Sequence, residues 1–123
     1  MPHLHPTRRG ALQILAAGVA SAALPAFAQW PDRSIKIIVT FPPGGSSDVL
    51  ARVMAEQLAK RLGQPVVVDN KPGAGGTIGG AQVSSSTADG YTLMLSNTTP
   101  IALGPFTLDK QPYDPVTGFT HVA

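Results

Sequence analysis

The sequence predicts an α/β protein whose strands lie parallel in one sheet, and three observations carry that expectation. Runs of aliphatic and β-branched residues at 35–41, 66–68 and 91–95 alternate with two segments of helical character, in the order β-α-β-α-β. The runs are apolar almost throughout, as in strands covered on both faces, rather than alternating apolar with polar. Each run ends in a loop rich in glycine or small polar residues. This order implies right-handed crossovers and parallel pairing.

Residues 1–28 read as an export signal. Arg8 and Arg9 supply a positive start, residues 11–24 form an apolar run, and Ala26-Phe27-Ala28 is a small-x-small cleavage site. Cleavage is expected after Ala28. The run falls short of the roughly 20 apolar residues that span a bilayer, and Pro25 interrupts any continuing helix. A membrane anchor is the competing reading. Thr7 to Leu12 also looks like a twin-arginine signal, so the sequence leaves the general secretory and twin-arginine routes both open. Export of a chain without cysteine suits the bacterial periplasm.

From Gln29 onward seven basic residues balance seven acidic ones. With 123 residues there is room for one domain of ordinary size. The first strand, Ile35-Lys36-Ile37-Ile38-Val39-Thr40-Phe41, stops at Pro42-Pro43-Gly44-Gly45. Proline lacks the ladder donor and glycine frees the backbone. Ser46-Ser47-Asp48 offer helix N-cap chemistry. The spacing of Val49, Leu50, Val53, Met54, Leu58 and Leu62 marks one face of the helix that follows, Glu56 and Lys60 form an i,i+4 pair, and Gly63 ends it. Val66-Val67-Val68 is a second short strand. After the glycine loop 69–76, a second helix is expected from Thr77 to about Ser86, weakened by Gly79 and Gly80 at roughly 1 kcal/mol each. Tyr91 to Leu95 is the third strand. The tail from Ile101 reads as mostly irregular, with a further strand beginning within Phe119–Val122.

In a parallel sheet, ligands sit outside the carboxyl ends of the strands. All three loops leave carboxyl ends, so they lie along one edge and can form one site. The loop 42–48 places N–H groups and serine hydroxyls at a helix N-terminus, where free donors and the helix dipole suit an anion. Residues 73–77 repeat the arrangement, and Ser96 to Thr99 add neutral donors and acceptors. Neither the first nor the third loop contains Arg or Lys, which favours a small carboxylate held by neutral donors over a polyphosphate. The alternative is structural: Gly44-Gly45 can simply make the strand-to-helix turn, and Asp48 suits the first helical turn by its charge.

Several functions are excluded by what is missing. Without cysteine there is no disulfide framework, thiolate metal site or cysteine nucleophile. The three histidines are dispersed, so no metal is expected. No clustered basic face exists for nucleic acid. Gly73-Ala74-Gly75-Gly76-Thr77-Ile78-Gly79 departs from a dinucleotide fingerprint by one position, and no acidic residue ends the third strand. Ser46 and Ser47 have only His121 as a partner after leader removal, which argues against a hydrolase triad.

Three further segments carry a resemblance. Trp30 to Val39, then Phe41-Pro42-Pro43-Gly44-Gly45-Ser46-Ser47-Asp48 with Ala51-Arg52, and Gly63 through Gly76 resemble the start of Bug-type solute receptors of tripartite tricarboxylate transporters. Asp89 to Leu93 and Pro112 to Pro115 match later landmarks, so the resemblance spans residues 30–123. It implies an α/β periplasmic-binding-protein fold of the Venus-flytrap type, of which residues 29–123 are the N-terminal βαβαβ part of the first lobe. Members continue through a second lobe, so a truncated product or fragment is expected. The resemblance also implies a small carboxylate ligand, membrane permease subunits as partners, a monomer when complete, and neither catalysis nor cofactor. Carried over by motif, the ligand-binding residues are Phe41, Pro42, Pro43, Gly44, Gly45, Ser46, Ser47 and Asp48; Gly73, Ala74, Gly75, Gly76 and Thr77; and Ser96, Asn97 and Thr98. A small secreted α/β hydrolase acting through Asp48 or a loop serine is the alternative.

Overall fold

The computed structural model describes residues 29–108 and 110–122. The expected signal peptide lies outside them. Strand β1 spans Ile35–Val39, helix α1 Ser46–Leu62, strand β2 Val66–Asn70, helix α2 Thr77–Ser84 and strand β3 Thr92–Leu95. A 3-10 turn, Ala74–Gly76, leads into α2. A π-turn, Thr99–Leu103, runs into a single helical turn, α3, at Gly104–Thr107.

The sheet order is β2-β1-β3, and both outer strands run parallel to β1. Ile35 stands opposite Val66 and Val39 opposite Asn70, while Lys36 to Val39 face Thr92 to Leu95. The apolar run of β1 is explained by its place: Ile35, Ile37, Ile38 and Val39 are all at most 2% exposed. On one face Ile37 and Val39 pack with Ala51 and Ala55 of α1, ringed by Leu58, Val66, Val68, Leu93 and Leu95. On the other, Thr40 meets α2. A Cβ on Gly79 would stand 2.9 Å from Thr40 Cγ2, and one on Gly80 would stand 2.6 Å from the Tyr113 hydroxyl. The two glycines that weaken α2 in isolation are therefore what lets it approach the sheet and the tail.

The structure corrects five details of the sequence reading. The α1 face turned to the sheet carries Asp48, Ala51 and Ala55, while Val49, Leu50, Val53 and Met54 are 42–56% exposed. Small side chains bring the helix axis close to the sheet; of the expected apolar face Leu58 packs against the core, while Val49, Leu50, Val53 and Met54 point outward. Ser46 and Ser47 open the helix instead of capping it. Gly45 is the N-cap with no side-chain bond, and Asp48 reaches back to the Gly44 N–H at 2.8 Å. The second helix ends at Ser84, and the Ser85 and Ser86 hydroxyls bond to the Gln82 carbonyl. In the tail, Pro100 and Pro105 sit at the starts of helical turns, where a missing N–H costs nothing.

Phe119–Val122 forms no strand. Phe119 instead stands edge-on to Tyr113, with ring centroids 5.1 Å apart, and Tyr113 donates to the Pro100 carbonyl at 2.9 Å. Other expectations hold. Gly63 ends α1 at φ 67°, its N–H donating to the Ala59 carbonyl at 3.0 Å. Lys60 and Glu56 pair at 2.6 Å on the exposed side. At the amino end, Arg33 lies 4.2 Å over the Tyr91 ring and 2.8 Å from Asp89, while the Tyr91 hydroxyl donates to Asp32. These contacts tie the start of the described chain to β3.

Candidate functional site

The loops after β1, β2 and β3 all emerge at the carboxyl edge of the sheet, because the strands are parallel. The first is held from beneath. Asp48, the third residue of α1, is 4% exposed, and its carboxylate is fully engaged. One oxygen accepts the Gly44 N–H at 2.8 Å and the Arg52 Nε–H at 3.1 Å. The other accepts from Asn70 Nδ2 at 3.1 Å and lies 3.1 Å from the second Arg52 nitrogen. Asn70 Nδ2 also lies 3.1 Å from the Phe41 carbonyl, which it can donate to. The Arg52 hydrogen bond first, then the Gly44 N–H, holds the Asp48 carboxyl at about 2, well below the ordinary carboxylate range. This carboxylate serves the loop's own architecture.

Above that clamp, Phe41, Pro42, Pro43, Gly45, Ser46, Ser47 and Asn97 line a cleft of about 280 Å3. Among the described residues no charged side chain lines it. Ser46 and Ser47 occupy the first two positions of a 17-residue helix, whose opening N–H groups have no carbonyl one turn back. The first and third loops thus meet, through Asn97. The Asn97 side-chain oxygen accepts the Thr99 N–H at 2.9 Å, which sets the turn.

Other sequence-selected residues lie elsewhere. Ser96 is not among the cleft's lining residues, its hydroxyl lying 2.6 Å from that of Thr40, and Thr98 holds the N-cap position of the π-turn without a side-chain bond. The second loop runs through left-handed backbone at Gly73, Ala74, Gly75 and Gly76, with φ of 128°, 46°, 64° and 94°. It packs against the third loop: a Cβ on Gly75 would be 3.3 Å from Thr99 Cγ2, and one on Gly76 would crowd Thr40 and Pro100. Thr77 is 6% exposed. The second loop therefore buttresses the third and does not line the same cleft. Sequence reasoning missed Thr40, Arg52 and Asn70. A polar residue at the end of an otherwise apolar strand was the available signal for Thr40 and Asn70.

A wider concavity, about 520 Å3, lies at the amino end of the strands between Arg33, Lys36, Val67, Ser85 and Tyr91. Parallel sheets place ligands at the carboxyl ends, so the smaller cleft is the candidate. Among the described residues no three His, Cys, Asp or Glu side chains come together as metal ligands. His121 Nε2 lies 3.2 Å from the Pro115 carbonyl and its ring stands against Phe119. The hydrolase alternative has no support among these contacts.

Residues 50–123 match the family described as Tripartite tricarboxylate transporter family receptor. The chain belongs to that family. Protein BugT of Bordetella pertussis is 54% identical over 85 residues, covering 68% of this chain and 26% of BugT. The periplasmic binding protein BugD superposes with a TM-score of 0.69 at 40% identity, over 73% of this chain and 30% of its own. MatC from Rhodopseudomonas palustris, solved with bound malate, gives 0.70 at 34% identity, over 74% of this chain and 31% of its own. The fold is thus the α/β fold of periplasmic binding proteins, and this tripartite tricarboxylate receptor chain spans about a quarter to a third of the length of those relatives.

Proposed function

We propose that this chain supplies the first-lobe ligand loops of a periplasmic receptor that captures a small carboxylate and presents it to the membrane permease of a tripartite tricarboxylate-type transporter. The observation that carries the reading is a cleft walled by neutral groups at the start of a long helix, in a chain of this receptor family. Charge recognition there falls to N–H groups and the positive end of the helix dipole, which together favour an anion by geometry. Phe41, Pro42 and Pro43 give the cleft an apolar wall for the carbon skeleton of the ligand.

At about 280 Å3 the cleft is slightly below the roughly 300–1,000 Å3 of complete small-molecule sites. It acts as one half of a site whose second wall comes from the opposing lobe. The first and third loops make contact with the carboxylate, and the second, Gly73 to Thr77, braces them. MatC binds malate, which supports a dicarboxylate of similar size as ligand. The leader 1–28 delivers the chain to the periplasm, where the complete receptor works as a monomer without cofactor or metal and without chemical turnover.

Calorimetric titration of the protein as its gene encodes it, with malate, succinate and adipate against the corresponding diamides, tests this reading. Binding of at least one dicarboxylate, with its diamide silent, is expected. Equal binding of acid and amide, or no binding of any acid, would overturn it.

A further inference from the structure

We propose that Arg52, which does not line the cleft, sets the anion affinity of the first loop by neutralising Asp48 beneath it. The inference rests on the carboxylate reading above. Its starting point is a conflict of sign. A loop that offers N–H groups to an anion is propped on a carboxylate: Asp48 accepts the Gly44 N–H at 2.8 Å, and the next residue, Gly45, lines the cleft. Left alone, that negative charge opposes the ligand's own. It is also nearly removed from water, its side chain 5% exposed, so solvent screens it poorly.

The prop cannot be deleted cheaply. Gly44 is at φ 86° and needs an acceptor for its N–H, and Asn70 needs a partner for the amide that also reaches the Phe41 carbonyl. The structure resolves the conflict with a planar fork. Arg52 engages both Asp48 oxygens at 3.1 Å, while its own side chain is 56% exposed. It thereby cancels the charge without itself lining the cleft. Lys71, the cation next to Asn70 in sequence, is turned to Asp69 at 3.5 Å. Asn70 contributes hydrogen bonds but no charge. Among the described residues Arg52 is Asp48's ion-pair partner, and removing one member of such a pair leaves the other uncompensated.

The test is a charge cycle in the protein as its gene encodes it. Wild type, Arg52→Gln, Asp48→Asn, the double variant and Arg52→Lys are titrated with malate and succinate, at low and high salt, well below each melting midpoint. Arg52→Gln is expected to weaken binding about tenfold, with the loss shrinking as salt rises. Asp48→Asn added to Arg52→Gln is expected to recover most of that loss, because the unpaired charge disappears. Arg52→Lys, which keeps the charge and loses the fork, is expected to stay within about threefold of wild type.

A merely structural Arg52 would lower the melting midpoint and leave the affinity of folded protein unchanged, and that result overturns the proposal. So does a double variant no tighter than Arg52→Gln, or an Arg52→Lys as weak as Arg52→Gln. Should Arg52→Gln fail to fold, Arg52→Lys and the double variant decide the matter. Both within about threefold of wild type supports the proposal, and either one tenfold weaker overturns it. Wild-type protein that binds no carboxylate overturns the functional reading itself, an outcome separate from wild-type binding with insensitive variants.

Discussion

Gly80 shows how a single missing atom can matter twice. Glycine costs roughly 1 kcal/mol in a helix interior, so Gly80→Ala would stabilise α2 on its own. Here the added methyl meets the buried Tyr113 ring, whose hydroxyl is committed to the Pro100 carbonyl. Overpacking of this kind costs about 1–3 kcal/mol and exceeds the propensity gain. Gly80→Ala is therefore expected to destabilise by about 1 kcal/mol, read as a lower denaturation midpoint at unchanged slope. Pairing it with Tyr113→Phe, which removes the crowded oxygen, should give back part of the loss. Asp48 supplies a second expectation, in acid. Its folded carboxyl titrates at about 2 against an ordinary value near 4, so the folded state binds its proton more weakly than the unfolded. The stabilisation is complete above the unfolded value and drains away as pH falls through the folded one. Circular dichroism across pH 5 to 2 should show an acid limb that flattens in Asp48→Asn. Gly80 reads as a weak spot in the sequence because Tyr113 reaches it from a distant segment, whereas Asp48 meets Arg52 one helical turn on and only its Asn70 contact comes from afar.

Elements were legible where their cause is local. β1 announces itself by a run of β-branched residues, and the end of α1 by Gly63, because backbone preferences act within a few residues. The orientation of α1 was not legible. Ala51 and Ala55 fall in register with Leu58 as well as Val49, Leu50, Val53 and Met54 do, and the choice falls to how closely the sheet lets the helix come. The loops followed the same division. Their place at the carboxyl edge comes from parallel pairing, which the strand pattern foretold. Which loops share a cleft depends on cross-strand register, which places Asn70 beside Val39 and so under the first loop. That loop is the element whose alteration should be felt most in binding. Gly45→Val puts a branched side chain where a ligand would approach; losing one hydrogen bond to a charged group costs about 1.5–3 kcal/mol, or roughly 10- to 150-fold in affinity. Lys71→Ala, whose ammonium faces Asp69, should change affinity less than threefold. Calorimetry on both variants checks the contrast, and equal effects would shift the anchor away from the first loop.

At the scale of the molecule, many large apolar side chains among the described residues stand exposed. The outer face of α1 shows Val49, Leu50, Val53 and Met54, the tail shows Leu103 and Phe106, and β2 and β3 each have one edge without a strand among the described residues. Open edges and apolar faces invite association. Produced alone, this segment is expected to melt broadly and to self-associate with rising concentration, in size-exclusion chromatography and calorimetry. A sharp, concentration-independent transition of a monomer would contradict that. The general architecture was nonetheless foreseeable, since alternation of strand and helix patterns leaves few topologies open.

The central position of β1 has a consequence for motion. It is paired with a parallel strand on both sides, and all of its side chains but that of Lys36 are buried. Local opening is rarest in such a strand, so its amide hydrogens should be among the last to exchange with solvent. The first loop is strung between that strand and a 17-residue helix, and clamped below by Asp48 and Asn70. On the proposed reading, a ligand arriving there would meet donors already in place and spend little of its affinity on ordering them. The third loop follows β3, which among the described residues pairs on one side only. On the proposed reading, hydrogen exchange should therefore be slowest in β1 and faster towards Asn97.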